Sequence, residues 1–208
     1  MMNTNDLSMP IPSLSDYAKG LGTVEIDRYK KKLTISVKGE DILLPDPYTL
    51  KTSTIDPSRL PPVEYKSIYN YLIKTPGPYT GEALEAYKSL DAYNYFVSGH
   101  VKQVEQCEVG ESSPVVFVRA CVTPGQKVAN GPFKPWLCLD KKQGYVVGSH
   151  CTCMAGLGEA CSHIAALLFA VEAVTYCGVN ALPPGTSVRC IWSKYYKDQV
   201  HKISLRPS

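Results

Sequence analysis

The chain has 208 residues, 44% of them apolar and 20% charged, which is the composition of a globular protein able to bury a sizeable core and excludes a disordered or fibrous chain. Lys and Arg number 22 against 19 Asp and Glu, a net charge of +3, so any nucleic-acid contact must come from a local patch rather than from the field of the whole chain. Eight cysteines are the unusual count, and they are disulfides or thiols according to compartment.

The first fifteen residues lack a basic stretch leading into an apolar one, so no secretory signal is read. The longest apolar run, 164–171, is interrupted by Glu172 and resumes only as far as Val179, short of the roughly 20 residues of a membrane span. The expectation is an intracellular protein, nuclear or cytoplasmic, with reduced cysteines and no membrane partner.

Residues 1–61 are punctuated by proline, and only LTISV at 33–37 alternates like a strand. An extended or loosely packed arm is expected there. Its one basic cluster, Arg28, Lys30, Lys31 and Lys32, reads as a solvated charge run. Residues 62–100 read as a helical pair. Pro61 and Pro62 suit a first helical turn, with Val63, Ile68, Leu72 and Ile73 as the inward stripe. After a Pro/Gly break at 75–82, Ala83, Ala86, Tyr87, Leu90, Tyr93, Asn94 and Val97 recur at steps of three and four and mark a second helix ending near Gly99. Seven of the fourteen tyrosines lie between Tyr65 and Tyr95; such rings either fill a helix–helix seam or form a contact face. His100, at the helix end, is expected to cap carbonyls.

Residues 101–185 carry strand text at 101–109, 114–122, 133–139 and 145–149, with a polar, glycine-ended turn at 140–144. An antiparallel meander ending in a hairpin is expected, so the fold class is α+β. The hairpin runs into HCTCMAGLGEACSH at 150–163 and then an apolar helix, 164–177. Cys151 and Cys153 form a C-x-C pair and Cys161 and His163 a C-x-H pair, within a motif spanning 151–163. Three thiolates and one imidazole close a tetrahedral zinc site and leave no position for a catalytic water, so one structural Zn2+ is expected. Its net charge of about −1 suits the amino end of the following helix. The metal would staple strand to helix. A redox pair would be spaced C-x-x-C instead.

The remaining cysteines, Cys107, Cys121, Cys138, Cys177 and Cys190, read as packed small hydrophobes. His150 precedes the first ligand and is expected beside the site or exposed rather than as a fifth ligand. The helix at 164–177 is apolar nearly all round, hence a core helix and not a major-groove reader. Residues 186–208 form a basic tail in which Arg189, Trp192, Lys194, Tyr195 and Lys197 interleave cations with rings, a pattern suited to phosphate contacts and base stacking.

The C-x-C-x7-C-x-H pattern after a β-ribbon and before a helix resembles the SWIM-type zinc finger, and all four ligand positions match. A wider likeness over residues 62–193, carried by GEALEAYKSLDAYNYFVSGHV, VVFVRACV, WLCLD and CTCMAGLGEACSHIAALLFAVEA, resembles the SWIM-containing region of animal, mobile-element-associated proteins that bear a YqaJ-type viral recombinase nuclease. The chain stops at Ser208 without room for that nuclease, so its activity is not carried over. The resemblance implies a non-catalytic zinc module of a mobile-element or recombination-related protein that binds nucleic acid, DNA rather than RNA. The alternative is a protein-interaction adaptor using the same zinc, with the tyrosine-rich helices as its contact face. No enzyme is expected, since neither a phosphate-binding glycine loop nor H-E-x-x-H occurs, and no small-molecule substrate is expected.

Overall fold

The computed structural model describes residues 13–37, 39–74, 87–110, 112–123, 131–154 and 161–177. These form an α+β fold around a five-stranded antiparallel sheet. Its strands are β3 (Thr52–Thr54), β4 (Val101–Cys107), β5 (Val115–Val122), β6 (Trp136–Asp140) and β7 (Val146–His150), in the spatial order β3-β4-β5-β6-β7. The last four make the expected meander. β3 is an addition at the edge, where Thr52 to Thr54 pair with Cys107 to Glu105. The apolar run of β5 follows from burial on both faces. Val116, Val118 and Ala120 face one core with Leu137 and Leu139, whereas Val115 and Phe117 face a second core with Trp136 and Cys138.

Two irregularities tune this sheet. In β4 the register shifts between Lys102 and Glu105, so that Gln103 and Val104 together oppose Ala120, and Gln103 sits at φ +51°. The extra residue keeps Val101 and Val104, three apart, packed toward the same core. In β7 the pairing jumps from Cys138–Gly148 to Leu139–Val146, leaving Val147 exposed.

The first core is closed by helices. α5 (Ser162–Cys177) is buried from His163 to Val174, the central helix its all-round apolar text predicts. α3 (Tyr65–Tyr69) continues as a π-helical turn, Asn70–Lys74. Val63, Ile68 and Leu72 are buried as expected, and the Ile73 side chain lies outside those described. In α4 (Tyr87–Val97) the phase differs from the expected one: Ala92 and Phe96 are wholly buried and Asn94 is exposed. Tyrosines are the reason, because their large rings pack from the flank of a stripe as well as from its centre. Tyr93 meets Phe169 edge to face at 5.7 Å, and buried Tyr71 shares a 2.6 Å hydrogen bond with Ser149. Tyr71, Tyr93 and Tyr95 are thus engaged in packing rather than in an exposed contact face.

From residue 13 on, the described part of the first third packs against the sheet rather than forming a loose arm. Over its described residues α1 (Asp16–Lys19), α2 (Thr23–Leu33) and a hairpin of β1 (Thr34–Val37) and β2 (Glu40–Leu43) cover the opposite face of the sheet. Ala18, Tyr29, Leu33, Ile35 and Leu44 join Phe117 and Trp136 in the second core. Tyr29 and Leu33 are one helical turn apart, which puts both on the inward side of α2. Lys30 and Lys31 stay exposed in its last turn, where they complement the helix dipole. Buried Asp46 ties the layer together: its carboxylate accepts from Ser15 N and Oγ, Tyr29 OH and Tyr48 N at 2.7–3.0 Å. The end of α2 crosses β7 at Gly148, where a Cβ would stand 3.1 Å from the Lys32 carbonyl oxygen.

Candidate metal centre

β7 ends at His150, so Cys151 emerges directly from a strand anchored to β6 through the Trp136–His150 pair. Cys153 follows two residues later. Cys161 immediately precedes α5; its carbonyl accepts the Ala165 N–H at 3.2 Å, and its sulfur accepts the backbone N–H of Ile164. His163 is the second residue of α5. The ligand atoms of Cys151, Cys153, Cys161 and His163 all lie within 4.8 Å of one another. Cys151 Sγ is 3.9 Å from His163 Nδ1, a few tenths of an ångström beyond the sulfur–nitrogen edge of about 3.6 Å in a tetrahedron with metal–sulfur bonds of about 2.3 Å and metal–nitrogen bonds of about 2.0 Å.

The set is enclosed. Cys151 and Cys161 are buried, Cys153 is half-buried, and His163 is 8% exposed. Phe133 lies against the His163 ring with centroids 4.5 Å apart, and Tyr95 meets it edge-on at 5.6 Å. Phe133 is held there by its bridge to Val122. These two rings fix the imidazole orientation.

The thiols themselves show that the cluster fits a cation. Hydrogen bonds from Cys151 and Cys161 hold the Cys153 thiol far below its ordinary range, with His163 adding to the effect. The same contacts drive Cys151 far up, the hydrogen bond with Cys153 first. Cys161 is pushed up to about 12, its lowering by Cys151 being outweighed by Cys153 and by burial. One thiolate is tolerated among three crowded sulfurs, and three require a positive ion between them. Four soft donors at tetrahedral spacing, backed by a helix amino end, can hold one metal ion and fill its shell.

His150, expected beside the site or exposed, is wholly buried. Its Nε2 shares a 2.8 Å hydrogen bond with Tyr17 OH, and its ring packs against Tyr29 at 4.8 Å and Trp136 at 6.0 Å. Burial, then the neighbouring Cys151 and Cys153 and then Asp46, push the Tyr17 hydroxyl up to about 12, so it stays protonated at neutral pH. The residue between the first two ligands is tied as well: Thr152 Oγ1 accepts from Lys134 N at 3.0 Å. Sequence reasoning missed Tyr17, Tyr95 and Phe133 because nothing local links them to the motif. His100 caps the helix end through its backbone N–H, which donates to the Tyr95 carbonyl at 3.0 Å, while its ring meets Thr123 Oγ1 at 3.1 Å.

Cys107 and Cys138 are packed thiols pushed up to about 12, chiefly by burial, whereas Cys121 is only half-buried. The Cys177 side chain and Cys190 lie outside those described, as do Arg189, Trp192, Lys194, Tyr195 and Lys197. No helix among the described residues is long and apolar enough to cross a membrane. No protein-family model, curated protein or solved structure matches the chain.

Proposed function

We propose that this chain is a non-catalytic, zinc-stabilised module of the SWIM type that binds nucleic acid, DNA rather than RNA, as part of a mobile-element or recombination-related protein. The observation that carries the reading is the Cys3His cluster at the junction of a β-hairpin and a buried helix, in the order C-x-C-x7-C-x-H. Three thiolates favour zinc over the harder divalent ions, and a shell filled by protein leaves no place for a reacting water. The nucleic-acid part draws on the likeness to SWIM modules and on the cation-and-ring pattern of Arg189, Trp192, Lys194, Tyr195 and Lys197.

Native mass spectrometry is expected to find one zinc per chain. Cys161→Ser and His163→Ala should each lose the ion and unfold the protein, because structural zinc contributes on the order of 10 kcal/mol; full retention of metal and fold in either variant refutes the site. Binding to single- and double-stranded DNA and RNA, titrated with salt, tests the rest. Affinity should fall as salt rises, with DNA ahead of RNA, and no affinity at low salt sinks the nucleic-acid reading. The adaptor reading draws on Met154, wholly exposed on the metal loop, and on Tyr145 and Val147, exposed beside and on edge strand β7. A stable protein partner that survives nuclease treatment and is lost on Met154→Asp would favour it.

A further inference from the structure

A cleft of about 760 Å³ opens between the N-terminal layer and the strand ends beside the metal loop, lined among others by Tyr17, Tyr48, Gln103, Arg119, Lys134 and Thr152. The volume lies within the roughly 300–1,000 Å³ of small-ligand sites. Its walls are fixed by the metal centre, since Thr152 stands between two ligands and bonds Lys134 N, Tyr48 OH donates to the Lys134 carbonyl, and Tyr17 OH meets the His150 imidazole.

The lining is richer in donors than in acceptors. Arg119 gives Nε to Glu105 at 3.1 Å, Nη1 to the Pro47 carbonyl at 3.2 Å and Nη2 to Thr52 at 3.4 Å, which leaves two of its five N–H groups. Glu105 accepts that bond at Oε2, which offsets the Arg119 charge and leaves Oε1 as an acceptor. Lys134 is exposed, and Thr152, accepting from a backbone amide, keeps its own hydroxyl proton to give. Tyr17 and Tyr48, 5.5 Å apart and edge to face, make an aromatic wall. Gln103 stands on the cleft at φ +51°, a conformation that disfavours any residue with a Cβ and collects at ligand-binding places. Its exposed amide carries both a donor and an acceptor at the cleft edge.

We propose that this cleft is a subsite for single-stranded nucleic acid, with a phosphodiester at Lys134 and Arg119, a base against the Tyr17–Tyr48 wall and Gln103 at the base edge. It rests on the nucleic-acid reading above and makes it specific. Stacked duplex bases cannot present a face to a tyrosine, whereas a single strand can. The excess of donors and the one net positive charge of Lys134, Arg119 and Glu105 select an acceptor-rich, anionic strand, and the rings favour bases over an acidic peptide.

The test measures anisotropy of a labelled hexathymidylate with the zinc-loaded full chain, its Lys134→Glu, Gln103→Gly and Lys31→Glu variants, and a hexaglutamate peptide and a DNA duplex as competitors. Lys134→Glu should weaken strand binding by about tenfold and lower the slope of log affinity against log salt by roughly 0.7. Gln103→Gly should weaken it about threefold or more while the protein melts no lower, because glycine relieves the left-handed backbone; loss of fold therefore cannot explain the effect. Lys31→Glu, on the far turn of α2, should bind within about twofold of the parent. Wild-type affinity in both cleft variants, or duplex bound better than strand, overturns the subsite and leaves the nucleic-acid reading standing. No binding of either nucleic acid at low salt overturns both. Hexaglutamate binding that Lys134→Glu abolishes, with the strand unaffected, overturns the subsite in favour of a protein partner.

Discussion

Glu172 is the residue whose chemistry is most at odds with its surroundings. It lies wholly buried on α5, between Val171 and Ala173 of the larger core. Burial raises its carboxyl from the ordinary 4.5 to about 8, since a charged carboxylate is poorly solvated there. At neutral pH the folded chain therefore holds a proton that the unfolded chain has released. Stability from this group is present below about pH 4.5 and falls as pH rises toward 8, by up to about 1.4 kcal/mol per pH unit. Glu172→Gln should abolish that slope and be the more stable protein near pH 8. Urea denaturation of both proteins at a series of pH values checks this, and parallel stability curves would show that Glu172 is ionised in the fold.

Among the elements, the hairpin that leads into Cys151 and Cys153 depends on one glycine. Asp140 organises the turn by accepting from Lys142 N at 2.9 Å and Gln143 N at 2.7 Å, and Gly144 follows at φ +68°. A Cβ on Gly144 would lie 2.8 Å from the Pro62 carbonyl carbon and closer still to its oxygen, so the β6–β7 turn is wedged against the chain entering α3. Gly144→Ala should cost more than about 2 kcal/mol, combining a left-handed backbone with a clash against backbone that cannot step aside. Thermal melting checks the loss, and a melting point within about 2 °C of the parent would show that the turn rearranges without strain. Turn, strand and helix-entry chemistry of this kind is local in sequence. The meander, α5 and the four-residue metal cluster were all legible because each rests on neighbours within a few positions of one another.

At the scale of the whole molecule, local legibility fails where partners are far apart along the chain. Short α1 and α2 carry too few aliphatic residues to show a helical stripe, and the lysines ending α2 conceal that Tyr29 and Leu33 share a side. Those two residues bury only because Phe117, Trp136 and Cys138 come to meet them. The cleft beside the Cys3His cluster is equally invisible in the text, since its walls are drawn from α1, the segment after β2, three strand ends and the loop that begins at Cys151. The same separation orders events in time. Tyr17 and His150 are 133 positions apart, so the N-terminal layer leaves the ribosome long before the strands it covers, and its apolar side must wait for them. Cys151 follows β7 at once, so a metal ion held by Cys151, Cys153, Cys161 and His163 would be captured only after the last strand of the sheet has been made. Residues synthesised early in the chain thus find their buried partners only once β5 to β7 exist.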